Sequence, residues 1–295
     1  MFKSRKKAFI AISLVLVLTF ALSACGGGSS APSSTQNSSQ GSTAVKPEIQ
    51  KPEDLAGKKV GVQVSTTADD SCKELLKTVK FDLQKYDQII QTFSDLKTGR
   101  LDAVVVDEVV ARYYVSKDPQ SYKVTGAKLT NEPIGICFKK SNAEMRDRFN
   151  AIIDDFAKDG TLKKISEKWF GSDLTSNIQN VGSGTEQGTS NPNAQIPSDK
   201  KVLRIGVDDT YPPMEFKDES NKIVGFDVDL AQEIGKKLNM QVEFVPTAWD
   251  GIFTSLNTDK FDCIISSVSI NEDRLKNFAI TKPYVANAQV IVVRP

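Results

Sequence analysis

The apolar positions of this chain change period several times, and each change marks an element. In the second half, Val202 to Val207 and Val242 to Val245 are short runs rich in β-branched residues and read as strands. Between them Phe226, Leu230, Ile234 and Leu238 recur every four residues, the spacing of one buried helix stripe. A short helix carrying Ile252, Phe253 and Leu256 then precedes a strand from Ile264 to Ser267. The first half repeats the theme, with strands at Lys59 to Val64, Gln88 to Phe93 and Ala103 to Val106, separated by a helix with Leu75, Leu76 and Val79 and another around Leu96. A longer helix from Ala143 to Phe156 sets Met145, Phe149, Ile152, Ile153 and Phe156 on one face and stops at Gly160. Thr161 opens a shorter one with Leu162, Ile165 and Trp169, all read as packing residues. The alternation predicts an α/β protein with two mostly parallel sheets, each covered by helices.

Three stretches follow neither period. Residues 1–24 place Lys3, Arg5, Lys6 and Lys7 ahead of an uncharged apolar run from Ala8 to Ala21, too short to favour a membrane-spanning helix, and read as a secretory signal peptide. Leu22-Ser23-Ala24-Cys25 resembles the lipobox of bacterial lipoproteins, which implies diacylglycerol on the Cys25 sulfur and Cys25 as the first residue after cleavage. The Gly/Ser-rich tract that follows makes 25–50 a flexible tether. Residues 172–200, rich in Ser, Asn, Gly and Thr, read as a flexible linker with a root-mean-square span of roughly 30 Å.

At 295 residues, 39% hydrophobic and 25% charged, the chain is globular in composition and long enough for one large domain or two ordinary ones. Loss of residues 1–24 takes four of the 38 basic residues and none of the 37 acidic ones, so the remainder is slightly acidic. With no basic stripe, nucleic acid is not an expected partner. Histidine is absent, which excludes it as base, metal ligand or pH switch. Cys72, Cys137 and Cys263 are odd in number and cannot complete a disulfide framework; the contexts IGICFK and DCIIS favour buried free thiols. No metal, cofactor or catalytic residue is expected.

Several motifs in one cyclic order are more specific than any of them singly. KVLRIGVDDTYPPMEF (Lys201 to Phe216), IVGFDVDLAQEIGKKL (Ile223 to Leu238), FDCIISSVSINEDR (Phe261 to Arg274) and TKPYVANAQVIVV (Thr281 to Val293) resemble, in order, the first half of the amino-acid-binding proteins of ABC importers, bacterial extracellular solute-binding protein family 3. EDLAGKKVGVQVSTTAD (Glu53 to Asp69), LDAVVVDEV (Leu101 to Val109) and AKDGTLKKISEKWFG (Ala157 to Gly171) resemble that family's second half through its closing helix. The resemblance implies a two-lobed, periplasmic-binding-protein-like type II fold with a two-strand hinge, circularly permuted. Lobe 2 would span 51–130 and be completed by strand 288–295. Residues 131–171 would give a hinge crossing, a strand and the closing helices of lobe 1, and 201–287 the main part of lobe 1 and the second crossing. With crossings near Asn131 to Pro133 and Val285 to Ala288, Gln289 to Arg294 would pair in lobe 2 and Ile134 to Lys139 in lobe 1.

By the same resemblance, Arg274 binds the α-carboxylate of an amino acid through a planar fork that lysine does not reproduce. Ser269 contacts that carboxylate, and the Ser267 carbonyl helps to receive the ammonium. Taken alone, SSVSINEDR is a helix N-terminus with a surface arginine. Val64-Ser65-Thr66-Thr67 leaves a strand for a helix, where free N–H groups and hydroxyls gather. Thr67 matches the family's carboxylate-binding threonine with Thr66 beside it, and Ser65 stands where the family usually has glycine. As a bare motif this is a capping threonine. Asp107 ends an apolar strand, where ligands of open α/β sheets gather, and matches the aspartate that pairs with the ligand ammonium; Glu108 beside it reads as solvated. Tyr211 and Trp249 match the aromatic pair that sandwiches the ligand side chain, and either alone reads as core. Asp208 meets the far end of a polar side chain, which tilts specificity toward polar or basic amino acids.

The implied protein is a monomeric lipoprotein on the extracellular face of the cell membrane, or in the periplasm if the cell has two membranes. It captures a polar L-amino acid by closing its lobes and serves an importer's permease and ATPase. The same residues admit a dehydratase-like lyase on this fold, whose general acid or base would be a carboxylate for want of histidine. They also admit a sensory amino-acid receptor and a domain-swapped dimer.

Overall fold

The computed structural model describes residues 48–176, 178, 187–196 and 200–295. The signal peptide, Cys25 and nearly all of the tether lie outside the described residues. Along the chain, β1 (Lys59–Gln63), α1 (Thr67–Leu75), β2 (Asp82–Tyr86), α2 (Ile89–Lys97), β3 (Ala103–Asp107), α3 (Glu108–Lys117) and β4 (Lys123–Lys128) come first. A crossing leads to β5 (Cys137–Lys139), α4 (Ala143–Lys158) and α5 (Thr161–Phe170). Next come β6 (Val202–Val207), β7 (Thr210–Tyr211), β8 (Glu215–Lys217), β9 (Ile223–Val224), α6 (Phe226–Leu238) and β10 (Gln241–Pro246). The last elements are α7 (Trp249–Asn257), β11 (Cys263–Ile264), α8 (Glu272–Asn277), β12 (Phe278–Ile280) and, after a second crossing, β13 (Gln289–Val293).

Two five-stranded sheets define two lobes. Lobe 2 is built on the order β2-β1-β3-β13-β4, with β1 parallel to β2 and β3 and with β13 antiparallel to β3 and β4. Lobe 1 is built on β10-β6-β11-β5-β12, with β5 antiparallel to both neighbours. A small sheet, β7-β8-β9, attaches to lobe 1 through α6. Strand periodicity explains the core of lobe 2. Val104, Val106, Val290 and Val292 point into one apolar cluster and Ala103, Val105, Ile291 and Val293 into another, so β3 and β13 are buried on both faces.

Each sheet takes one strand from the far side of a crossing, β13 in lobe 2 and β5 in lobe 1. The crossings are hydrogen-bonded to each other: Glu132 N donates to Asn287 O, Ile134 N to Val285 O and Tyr284 N to Ile134 O, all at 3.0 Å. Two adjacent extended segments are therefore the only peptide links between the sheets among the described residues, the arrangement of a hinge.

Two expectations for strands need correction. Gln88 to Phe93 is not a strand: Ile89, Thr92, Phe93 and Leu96 fall on the buried face of α2, while Ile90 is the one large apolar side chain left exposed among the described residues, at 52%. The strand of this unit is β2, a sheet edge of exposed and half-buried residues with little apolar content. The strand expected at Ile264 to Ser267 ends at Ile264. Ser267 takes a left-handed φ of 50°, which turns the chain out of the sheet and into the cleft.

Parts of the two low-complexity stretches are packed. Ile49 is buried in a lobe 2 cluster with Leu55 and Val60. Residues 187–196 run along α4, where Asn150 Nδ2 donates to Gln187 O at 2.8 Å, Thr189 N to Asp147 Oδ1 at 3.1 Å and Asn191 N to Asp147 O at 3.0 Å. Cys72, Cys137 and Cys263 are free and buried, and burial raises their thiols, that of Cys72 to about 12. No helix among the described residues is long and apolar enough to cross a membrane.

Candidate functional site

The carboxyl end of β1 and the start of α1 form the lobe 2 wall of the cleft. Ser65 adopts φ 61°, a conformation that costs an L-residue about 1–2 kcal/mol and that glycine takes freely. The turn then presents two threonines in different roles. Thr66 is the N-cap: its Oγ1 accepts from Asp69 N at 3.2 Å and donates to Gln63 O at 2.8 Å. Thr67 is the first helical residue and points into the cleft, where its Oγ1 receives Gln289 Nε2 at 3.0 Å and lies 3.4 Å from Ser269 Oγ.

Asp107 closes β3 on the same wall. Gln289 Nε2 at 2.7 Å and Asn287 Nδ2 both donate to its Oδ1, and both come from the second crossing or its end. Burial pushes the Asp107 carboxyl up, and the Tyr211, Asn287 and Gln289 donors pull it back.

Lobe 1 supplies the other wall. Arg274 lies in the first turn of α8, capped by Asn271, and is half-buried. Among the described residues its guanidinium makes one hydrogen bond, from Nη1 to Ser269 O at 2.9 Å, and its Cζ sits 5.5 Å from the Trp249 ring centre and 5.1 Å from that of Phe253. It therefore presents most of its donors with no carboxylate at ion-pair distance. Ser267 N donates to buried Asp227 at 2.8 Å, which fixes the turn that carries the Ser267 carbonyl. Asp208, at the end of β6, is 5% exposed; its Oδ1 accepts from Thr210 Oγ1 at 2.7 Å, and burial raises its carboxyl.

The walls touch. Tyr211 OH donates to Asp107 Oδ2 at 2.5 Å, Gln63 Nε2 to Asp208 Oδ2 at 2.8 Å and Trp249 Nε1 to Ser65 O at 3.0 Å, each from one lobe to the other. The nine residues singled out from the sequence, Thr66, Thr67, Asp107, Asp208, Tyr211, Trp249, Ser267, Ser269 and Arg274, all line one interlobe cavity, which is about 20 Å³. That is room for about one water, so a larger solute enters only if the lobes part. A larger open groove of about 890 Å³ lies elsewhere, between α3, β4 and residues 170–174. Its Arg112 and Lys128 are already paired with Glu108.

Gln63, Glu215 and Ser266 line the same cavity and were not singled out from the sequence. Gln63 ends a strand as Asp107 does, and that position was its signal. Glu215 carried none: it is fully buried, with Oε1 accepting from Ser266 Oγ at 2.8 Å, beside Asp227. Burial and the neighbouring Asp227 carboxylate push Glu215 well above the carboxylate range, while burial raises Asp227 to about 6 against the hydrogen bonds it receives from Ser267 N, Tyr284 and Glu215.

Two α/β lobes joined by a double crossing, with opposite charges aimed into one interlobe cavity, define a two-lobed solute-binding protein. The chain belongs to the bacterial extracellular solute-binding proteins, family 3, whose family model matches residues 49–172 and 203–295. It is similar to the L-cystine-binding protein TcyJ of Escherichia coli (strain K12), 36% identical over 127 residues, which cover 43% of this chain and 47% of that protein. The histidine-binding periplasmic protein of the same strain is 43% identical over 93 residues, 31% of this chain and 36% of the relative. The matched stretches thus span about half or less of the curated relatives' length. Among solved structures, the arginine-bound form of domain 1 from TmArgBP is 41% identical with a TM-score of 0.29, covering 32% of this chain and 79% of that one.

Proposed function

We propose that this protein captures a polar L-amino acid, basic ones included, between its lobes and presents it to the permease and ATPase of an ABC importer. The observation that carries the reading is the placement of Arg274 from lobe 1 and Asp107 from lobe 2 on one cavity. An amino acid holds a carboxylate and an ammonium about 2.5 Å apart, and so needs a cation with N–H or O–H donors on one side and an anion on the other. Arg274, Ser269 and Thr67 serve the carboxylate, with Thr66 shaping the turn. Asp107 and the Ser267 carbonyl serve the ammonium, Tyr211 and Trp249 flank the side chain, and Asp208 meets its end. Because a ligand meets both walls only when they close, its binding energy shifts the open–closed equilibrium, and the permease reads closure as occupancy.

In the same reading the chain is a circularly permuted member of its family, supported by the order of its motifs and by a family match in two stretches. It is a binding protein with no turnover, tethered as a monomer to the extracellular membrane face by lipid on Cys25. A thermal-shift screen of the common amino acids with cystine and ornithine tests the function. A polar amino acid is expected to raise the melting temperature. A flat response to every one of them overturns the reading.

A further inference from the structure

Gln63 ends β1 in lobe 2, yet its Nε2 donates to Asp208 of lobe 1 at 2.8 Å and to Asp87 O at 3.1 Å. Gln63 is 2% exposed and Asp208 5%. The remaining donors to the Asp208 carboxylate, Thr210 Oγ1 and N, come from its own lobe. No lysine or arginine among the described residues pairs with it; Arg274 is bonded to Ser269, and the titratable groups beside Asp208 are the acids Asp209 and Glu215. When the lobes shut, this buried carboxylate has one donor from the opposite wall, and that donor is a neutral amide on a flexible side chain.

We propose that Gln63 is a specificity-determining residue, an internal donor that satisfies Asp208 when the side chain of a bound amino acid is too short to reach it. The inference rests on the amino-acid reading above. A ligand with a guanidinium, ammonium or amide brings its own N–H groups to Asp208 and displaces Gln63. A ligand with a short side chain leaves the Gln63–Asp208 bond in place. Gln63 thereby widens the range of ligands the site accepts. Without its amide, closure over a short ligand strands a buried carboxylate, whereas closure over a long cationic ligand does not. A contact that merely held the lobes together would affect both ligands alike.

Calorimetry on the full chain, wild type and the Gln63→Leu and Gln63→Glu variants, separates these cases, with L-alanine as the short probe and L-arginine, L-lysine and L-glutamine as the long ones. The ratio of the alanine dissociation constant to that of the tightest long probe is expected to rise at least about tenfold in either variant that folds. An unchanged ratio overturns the role of Gln63 and leaves the amino-acid site standing, as does a wild type that binds a long probe but not alanine. A wild type that binds no amino acid removes the site reading itself, and this proposal with it.

Discussion

Tyr211 of lobe 1 donates its phenolic hydrogen bond to Asp107 of lobe 2 at 2.5 Å. The carboxylate assigned to a ligand ammonium is thus already engaged across the cleft when the lobes are shut, and its other oxygen is held by Gln289 and Asn287 from the second crossing. Closure, hinge and the proposed ammonium site meet at one side chain.

Tyr211→Phe keeps the ring and removes that bond. A hydrogen bond to a charged group contributes about 1.5–3 kcal/mol, so the ligand-free protein should shift toward the open form. Small-angle scattering without ligand is expected to show a larger radius of gyration than the wild type under the same conditions. An unchanged radius contradicts a latch role for the tyrosine.

Glu215 and Asp227 give a pH dependence of defined sign. Both are raised in the folded protein, so the native state holds more protons than the unfolded chain once pH exceeds the ordinary carboxylate range. Their contribution to stability is complete below about pH 4 and is lost as pH rises through about 6 for Asp227 and beyond for Glu215. The Asp227 rise alone corresponds to on the order of 3 kcal/mol. Glu215→Gln removes one of the two raised acids, so its melting temperature should fall less between about pH 5 and 8. Parallel curves for variant and wild type would count against the carboxyl pair.

Ser65 occupies a left-handed backbone position at the mouth of the site. Ser65→Gly relieves that conformation and keeps the carbonyl that receives Trp249 Nε1. Urea denaturation should show a gain of about 1 kcal/mol with ligand affinity unchanged. A loss of stability contradicts the strain assigned here.

Much of this was legible in the chain. Val202 to Val207 forms β6 and the stripe Phe226, Leu230, Ile234, Leu238 forms α6, because both segments bury a strongly periodic apolar set. The residues taken from motifs converge because motifs fix local turns, such as the strand-to-helix turns before α1 and α8. Two kinds of feature were hidden. β2 is an edge strand with few apolar side chains, so its pairing with β1 leaves little trace in its own sequence, and the apolar QIIQTF beside it invites the wrong period. Gln63 and Gln289 are single polar residues at strand ends whose partners Asp208 and Asp107 lie 145 and 182 positions away. Only the folded chain brings them together.

Arg274 is the site's sharpest test, since among the described residues its guanidinium faces the cavity with one hydrogen bond and no carboxylate partner. Calorimetry comparing wild type and Arg274→Ala, with the amino acid that most stabilises the wild type, measures its part in binding. Loss of a buried charged partner should weaken binding by about 2–5 kcal/mol, roughly 30-fold to several thousand-fold, with the fold retained. An Arg274→Ala protein that folds and binds that amino acid with wild-type affinity would contradict the assignment of this cleft as an amino-acid site.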